Sequence, residues 1–482
     1  MGFGFHIENF GCRAARADGE AIGARLRASG HNIQPPSDAD VVVINTCTVT
    51  AEADRQARAF IRRASRINPA AKIVVTGCYA QRAPDELAAI NGVAAVVGNS
   101  HKALVPDIVN DLAQRPRPHT HSTGSFVSIN SLLAGPASIL ADDSFAHSFI
   151  EEAQLVPGAQ TRPNLKIQEG CGNRCTFCVI PFTRGPSKSL PRASVLSQVE
   201  GFIAAGGNEL VLSGINLGRW GKDLAEKDSL PALVHHILTR TELPRLRLSS
   251  IEPMDWTDEL NHLIAEFSGP AAPEPRLARH AHLPLQSGSD AVLRRMHRRY
   301  RPWHYAAKVE ALVRAAGPEL TLGTDVMVGF PGETDAEFDE TVAFIRALPF
   351  GYLHLFPFSP RPGTPGWQLH AASPAPSDIV QDRMNMLRTL AREKSVAHRT
   401  QMIGRELPAI TLHTPAALAA AGVTEALTDN FLPVELEGSY PANQLLRIAV
   451  TAITPEGALT AHPAGIDEIA PIQSETCAQN FC

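Results

Sequence analysis

The sequence predicts an α/β protein in three parts. These are an N-terminal α/β domain with a parallel sheet (residues 1–114), a central partial TIM-like (βα)6 barrel (162–391) and a small C-terminal all-β barrel (403–470). Three observations carry this. Short β-branched runs alternate with helical stretches from His6 to Leu112, and the same alternation resumes six times between Asn164 and Ala391. Beyond Ile403 the helical rhythm gives way to short strands separated by turn residues.

In the first part, His6–Phe10 reads as a strand ending at Gly11-Cys12, and Ala17–Ala28 as a helix ending near Gly30. Val41–Ile44 is a buried strand running into Asn45-Thr46-Cys47, followed by a helix over Ala51–Arg66 that stops before Pro69. Ile73–Val75 is the next strand, ending in Thr76-Gly77-Cys78, and Val93–Val97 with Lys102–Leu112 adds a further strand and helix. Residues 115–161, with Arg115-Pro116-Arg117-Pro118 and His119-Thr120-His121, read as a linker holding at most one helix or hairpin, with both histidines solvated.

In the barrel, strands are predicted at 165–168, 209–213, 245–250, 280–285, 320–327 and 350–356. Helices are predicted between them at 192–205, 230–240, 257–266, 303–315 and 335–347. Six units without the two that close an eightfold barrel predict a partial one, with its site at the C-terminal strand ends. Ser377–Gln401 is a helix. Leu407–Leu412, Leu432–Glu437 and Leu445–Ile453 are strands of the small barrel, and 471–482 is a polar tail in which Cys477 and Cys482 are idle.

Composition narrows the class. The chain has 482 residues, 44% hydrophobic and 19% charged, with a net charge of −5. This is ordinary for globular protein, and no global basic field announces nucleic acid. No apolar run of about 18 residues predicts a membrane span, and Met1–Phe10 has no secretory pattern. A cytoplasmic protein is expected. Eight cysteines in such a chain favour metal over disulfides.

Gly170-Cys171-Gly172-Asn173-Arg174-Cys175-Thr176-Phe177-Cys178 places three thiols in C-x3-C-x2-C order just after the first barrel strand. Three thiolates so close can hold three corners of an iron–sulfur cube and leave the fourth iron open. Zinc is the competing reading, but no fourth Cys or His lies nearby to close a structural site. Cys12, Cys47 and Cys78 each follow a predicted strand, so a parallel sheet could bring them to one edge. Buried structural cysteines are the alternative there.

The triplet, with Phe177 at the aromatic position, resembles the signature of the radical S-adenosylmethionine (SAM) superfamily. The resemblance implies a 4Fe-4S cluster on Cys171, Cys175 and Cys178 whose open iron chelates SAM. It also implies reductive cleavage of SAM to a 5'-deoxyadenosyl radical. SAM contacts are then expected at Phe177, at Glu209 after Gly206-Gly207, at Ser250 and Glu252 after the third strand, at Gln286 after the fourth and at Asp325 on the fifth. The order of α/β domain, radical SAM barrel and β-barrel similar to a TRAM domain is that of the methylthiotransferase family. That likeness implies a second 4Fe-4S cluster on Cys12, Cys47 and Cys78 as sulfur source, and a flavodoxin or ferredoxin reductant. An unactivated C–H bond offers no acidic proton, so no general-base pair is expected.

Asn45–Arg55, Val75–Gln81 and Gly170–Ser187 most resemble the branch acting on threonylcarbamoyladenosine in the tRNA anticodon stem-loop, at C2 of the adenine beside the anticodon. Isopentenyladenosine in tRNA, then a ribosomal-protein aspartate, are the next substrates. A non-catalytic iron–sulfur RNA-binding regulator is the alternative from another class. Arg55, Arg58, Arg62 and Arg66 form one helix face, and Arg294, Arg295, His297, Arg298, Arg299 and Arg301 a second basic run, either able to meet phosphates. From 403 to 470 there are two Lys/Arg against eight Asp/Glu. That domain repels a phosphate backbone overall, so it reads RNA by a small local surface or leaves RNA to the other two.

Overall fold

The computed structural model describes residues 2–114, 137–145, 148, 150, 161–272 and 274–464. Most of the predicted linker, with His119 and His121, and the tail with Cys477 and Cys482 lie outside the described residues. The chain divides into two compact units, Met1–His398 and Arg399–Cys482.

The first unit opens with six strands: β1 (Gly4–Asn9), β2 (Asn32–Ile33), β3 (Val41–Thr46), β4 (Lys72–Gly77), β5 (Val93–Gly98) and β6 (Ser138–Leu140). They form one parallel sheet in the order β2-β1-β3-β4-β5-β6. Apolar clusters cover both faces, Val42, Ile44, Ile61 and Val75 on one, Val41, Val43, Val74 and Leu26 on the other. Both-face burial is why β3 reads as an unbroken apolar run, and each such side chain stabilises by roughly 1.5–3 kcal/mol. The helix Ala51–Ile67 starts where Thr50 accepts a hydrogen bond from the Ala53 amide, with Glu52 and Asp54 in its first turn. In place of a helix or hairpin, the linker span supplies strand β6, which completes the first sheet by pairing Ser138–Leu140 with β5.

The barrel strands are β7 (Asn164–Glu169), β8 (Lys188–Ser189), β9 (Glu209–Gly214), β10 (Arg245–Leu248), β11 (His280–His282), β12 (Thr321–Val328) and β13 (Phe350–Pro357). Parallel pairing runs β7-β9-β10 and β11-β12-β13, and backbone bonds from Leu246 to Arg276 and from Ile251 to His282 join the two groups. The short β8 adds antiparallel to β7. The intervening helices, Arg192–Ala204, Leu230–Arg240, Asp258–Ser268, Pro302–Ala316 and Asp335–Ala347, agree with the expected periods to within two residues. Leu165, Leu212, Leu246, Ala281, Leu322 and Val326 face these helices as one core. The alternate residues of the same strands therefore line the lumen. Lys166, Arg245, Arg247, His280, His282, Asp325, Tyr352 and His354 are among them.

In the second unit, β14 (Glu406–Thr411), β15 (Val423–Thr428), β16 (Pro433–Glu437), β17 (Leu445–Ile453) and β18 (Leu459–Pro463) close a barrel in the order β14-β15-β16-β18-β17. The sequence reading had three of these five. Strands β15 and β18 escaped it because Glu425, His462 and Pro463 break the apolar signal in five- and six-residue segments.

Candidate active site

The register of the first sheet aligns its strand ends. Asn9 lies opposite Asn45, Thr46 opposite Gly77, and Gly77 opposite Gly98. Neighbouring strands lie about 4.8 Å apart. Cys12, at the start of helix Arg13–Ala28, Cys47, just past β3, and Cys78, opening the short helix Cys78–Arg82, therefore emerge on one edge from three adjacent strands. Gly11 makes room for this: its φ is +102°, and a Cβ there would lie 2.3 Å from the Cys47 Cβ and 2.7 Å from its sulfur. Burial pushes the Cys47 thiol up to about 12, and Cys78 and Cys12 add to the shift. Both of those sulfurs are thus within electrostatic reach of Cys47.

Cys78 is the most supported of the three. Its Sγ accepts from Arg184 Nε at 3.2 Å and Asn99 Nδ2 at 3.4 Å. Arg184 belongs to a buried group of five charges: its Nη1 donates to Asp18 (3.0 Å) and Glu169 (2.6 Å), and Lys102 and Lys166 bind the same two carboxylates. Three cations against two anions leave one positive charge, set against the Cys78 sulfur. Burial disfavours the Glu169 carboxylate, but Arg184, Lys102 and Lys166 outweigh it and hold the group well below its ordinary range.

The triplet loop leaves β7 at Glu169 and is tied down by its own backbone. Cys171 N donates to Gly185 O, Thr176 N to Met296 O, and Gly366 N to Thr176 O at 2.7 Å. Arg298 Nη1 donates to Cys175 Sγ at 3.3 Å, while its Nη2 grips Glu252 at 2.9 and 2.6 Å. Cys171 Sγ accepts from the Asn173 amide (3.4 Å) and Asn216 Nδ2 (3.6 Å). Burial pushes the Cys178 thiol up to about 12, and Cys175 and Cys171 add to the shift. A cleft of about 310 Å³ lined by Gly172, Asn173, Asn216 and Arg219 opens beside the loop.

Three thiolates on one zinc lie about 3.8 Å apart, from Zn–S bonds of about 2.3 Å in tetrahedral geometry. Among the described residues, the one group of three Cys, His, Asp or Glu ligand atoms within 4.8 Å of one another is His282, Asp325 and His354. Neither cysteine set is drawn that close. Donors aimed at thiolate sulfurs, as at Cys78, Cys171 and Cys175, are what tune iron–sulfur clusters.

The expected SAM contacts divide. Phe177 packs on the apolar group of Val292, Met296, Met327 and Phe330 beside the triplet. Glu252 is held by Arg298. Ser250 Oγ meets His282 Nδ1 at 2.7 Å, and His282 Nε2 lies 3.4 Å from Asp325. Asp325 also faces His354 Nδ1 at 3.3 Å, and although burial opposes it, the hydrogen bonds from the two histidines hold its carboxyl well below the ordinary range. Gln286 sits at φ +65° with its side-chain Oε1 buried and without a hydrogen-bond partner among the described residues.

Glu209 is a correction. It begins β9, at the end of the barrel opposite the triplet, and is fully buried against Arg247 (2.7 Å), Arg245 (3.3 Å) and Arg162 (3.6 Å). Burial alone would raise its pKa, but these arginines lower it to about 2. The residue of that strand that reaches the rim is Asn216, two positions beyond Gly214. The strand-end rule could have found it. Arg184 and Arg298 had no such signal, since the cysteines they donate to lie more than 100 positions away.

The second basic run is a correction too. Arg294 and Arg301 pair with Asp290, Arg295 with Glu337, Arg298 with Glu252 and Arg299 with Asp255. It is a network of ion pairs rather than an open cationic patch. On the first face Arg55 and Arg58 pair with Glu52 and Glu86, while Arg62 and Arg66 are exposed.

Comparison with known proteins agrees with this architecture. Residues 4–98 match the family described as "Uncharacterized protein family UPF0004", and residues 165–345 the Radical SAM superfamily. The chain is 34% identical to a threonylcarbamoyladenosine tRNA methylthiotransferase MtaB of Bacillus subtilis, over 90% of each chain. It is 34% identical to a tRNA-2-methylthio-N(6)-dimethylallyladenosine synthase of Parafrankia, over 84% of this chain and 77% of that one. The radical SAM methyltransferase TsrM of Kitasatospora setae shares the fold, at a TM-score of 0.50 and 15% identity over 76% of this chain and 74% of that one. No helix among the described residues is long and apolar enough to cross a membrane. The chain is a transferase of the radical SAM methylthiotransferase family, in its MtaB-like branch, for which SAM and a 4Fe-4S cluster are the family's cofactors.

Proposed function

We propose that the chain inserts a methylthio group at C2 of N6-threonylcarbamoyladenosine beside the anticodon of cytoplasmic tRNA, using two 4Fe-4S clusters and electrons from a flavodoxin or ferredoxin. One observation carries the reading. Arg184, six residues beyond Cys178, donates to Cys78, so both thiol sets border one space, on the order of 10–15 Å apart by the reach of a short helix and one side chain. Bound there, SAM on the triplet's cluster would supply a hydrogen-abstracting radical, and the second cluster would supply sulfur.

The chain's own residues have separate tasks. Cys171, Cys175 and Cys178 would hold the first cluster, with Arg298 and Asn216 donating to its sulfurs. Cys12, Cys47 and Cys78 would hold the second, with Arg184 and Asn99 donating to Cys78. Phe177, Ser250, Glu252, Gln286 and Asp325 remain the SAM-side candidates at the rim. The anticodon loop is the expected partner, and exposed Arg62 and Arg66 are available to its phosphates.

The name of the Bacillus subtilis relative supports threonylcarbamoyladenosine, and that of the Parafrankia relative the isopentenyl alternative. Mass spectrometry of tRNA nucleosides from a deletion strain tests the choice. Loss of methylthio-threonylcarbamoyladenosine is expected, and its persistence would refute the assignment.

A further inference from the structure

The segment that follows β13 makes contacts that cluster ligation does not require. Ser359-Pro360-Arg361-Pro362-Gly363-Thr364-Pro365-Gly366 holds three prolines in eight residues. Each proline fixes its own φ, so the segment has little backbone freedom. It turns back on itself where the Thr364 amide (3.2 Å) and Thr364 Oγ1 (2.7 Å) both donate to Arg361 O. Phe358, just before it, packs edge-on against Phe330 with ring centroids 5.5 Å apart.

The segment meets both thiol loops. Arg361 is buried, and its Nη2 donates to Thr48 Oγ1 at 2.7 Å and to the Asp54 carboxylate. Thr48 is the residue after Cys47, and Asp54 lies in the first turn of the helix that follows. Ser359 Oγ accepts from the Ala51 amide at the start of that helix, at 3.1 Å. Farther along, the Gly366 amide donates to Thr176 O at 2.7 Å, between Cys175 and Cys178. That approach needs glycine: a Cβ at Gly366 would lie 3.0 Å from Thr176 O and 3.3 Å from the Phe177 Cα.

Asp54 does not depend on Arg361 for a cation. Arg82, from the first sheet's own domain, donates to the same carboxylate (2.8 Å) and to the same Thr48 hydroxyl (2.8 Å). What Arg361 adds is a bond from the barrel to that domain, 313 positions along the chain from Thr48. Arg184 ties the two loops on the Cys78 side, and the proline segment ties them on the Cys47 side. Two ties at separate points resist rotation as well as separation.

We propose that Arg361 is a positioning residue: with the proline segment it fixes the Cys47 loop against the triplet loop, and so sets the distance between sulfur source and radical source. This rests on the two-cluster reading. Arg361 holds no iron itself and acts through Thr48 and Asp54.

The test uses the full-length protein reconstituted anaerobically, with SAM and RNA stem-loops carrying threonylcarbamoyladenosine or isopentenyladenosine. Three quantities are read: iron per chain, the spin–spin broadening between clusters in the EPR spectrum of the dithionite-reduced protein, and methylthiolated product per 5'-deoxyadenosine. The first two need no substrate.

Arg361→Gln should keep about eight irons per chain and weaken the inter-cluster broadening. Product per 5'-deoxyadenosine should fall by about 10- to 100-fold, the effect of an ångström-scale misplacement. Arg361→Lys, which keeps the charge and one donor to the pair of acceptors, should recover part of that ratio. Gly366→Ala, which displaces the triplet end of the segment by a few tenths of an ångström, should lower the ratio in the same direction and serves if Arg361→Gln does not fold. An unchanged ratio or unchanged broadening in the variant, or a fall to about four irons, overturns the positioning role and leaves the two-cluster reading standing. About four irons in the wild type overturns that reading, and the inference with it.

Discussion

Arg184→Met removes the cation that joins the two halves of the site. The guanidinium is completely buried and makes three polar contacts: Asp18 at 3.0 Å, Glu169 at 2.6 Å and Cys78 Sγ at 3.2 Å. Met fills comparable volume without charge, so the loss is electrostatic rather than a cavity. Each charge-assisted hydrogen bond is worth about 1.5–3 kcal/mol, and removing one partner of a buried ion pair costs about 3–5 kcal/mol. The lower figure of about 3 kcal/mol is expected, because Lys102 and Lys166 still neutralise both carboxylates. The local excess charge falls from plus one to zero, so the sulfurs at Cys78 lose their counter-charge. Denaturant unfolding of the cluster-free protein, with iron per chain after anaerobic reconstitution, measures both effects. A destabilisation below about 1 kcal/mol together with unchanged iron would show that this charge group neither supports the fold nor retains the cluster.

Three further outcomes are expected. Replacing Cys12, Cys47 and Cys78 together with Ala should lower reconstituted iron from about eight to about four per chain; unchanged iron would sink the second cluster. Gly11→Ala should destabilise by about 2–4 kcal/mol, from φ +102° and the 2.3 Å approach to Cys47, and should reduce iron at that site alone; equal stability by thermal melting would contradict the geometry. Glu209 has a folded pKa of about 2, below its ordinary value. Its stabilisation, roughly 3 kcal/mol, is therefore complete above the unfolded pKa of about 4.3 and is lost as pH falls toward 2. Glu209→Gln should unfold more readily at neutral pH and show a weaker dependence across the acid range. Parallel acid transitions in both proteins, followed by circular dichroism, would exclude this role.

Local features were legible where chemistry and position coincide in one short segment. The C-x3-C-x2-C run, the three strand-end cysteines and the six βα units were all readable, because a strand ending in a polar turn announces itself within a few residues. Glu209 was misplaced by its neighbours: glycines before a carboxylate do not say which end of the barrel a strand begins from. The arginine run at 294–301 misled for a related reason. Sequence shows the cations, and only the fold shows Asp290, Glu337, Glu252 and Asp255 arriving beside them.

The sequence by itself determined the thiol inventory and the order of the three parts, since residue type and periodicity are read along the chain, and it carried the motifs that resemble the family's. The tertiary structure decided the rest. Sheet order brought β1, β3 and β4 side by side, and so Cys12, Cys47 and Cys78 to one edge. Packing of the first sheet's helix against the barrel set Asp18 among Lys102, Lys166 and Arg184. Charge balance inside a closed space depends on which distant residues share it. That is a property of the fold, which no local stretch of sequence records.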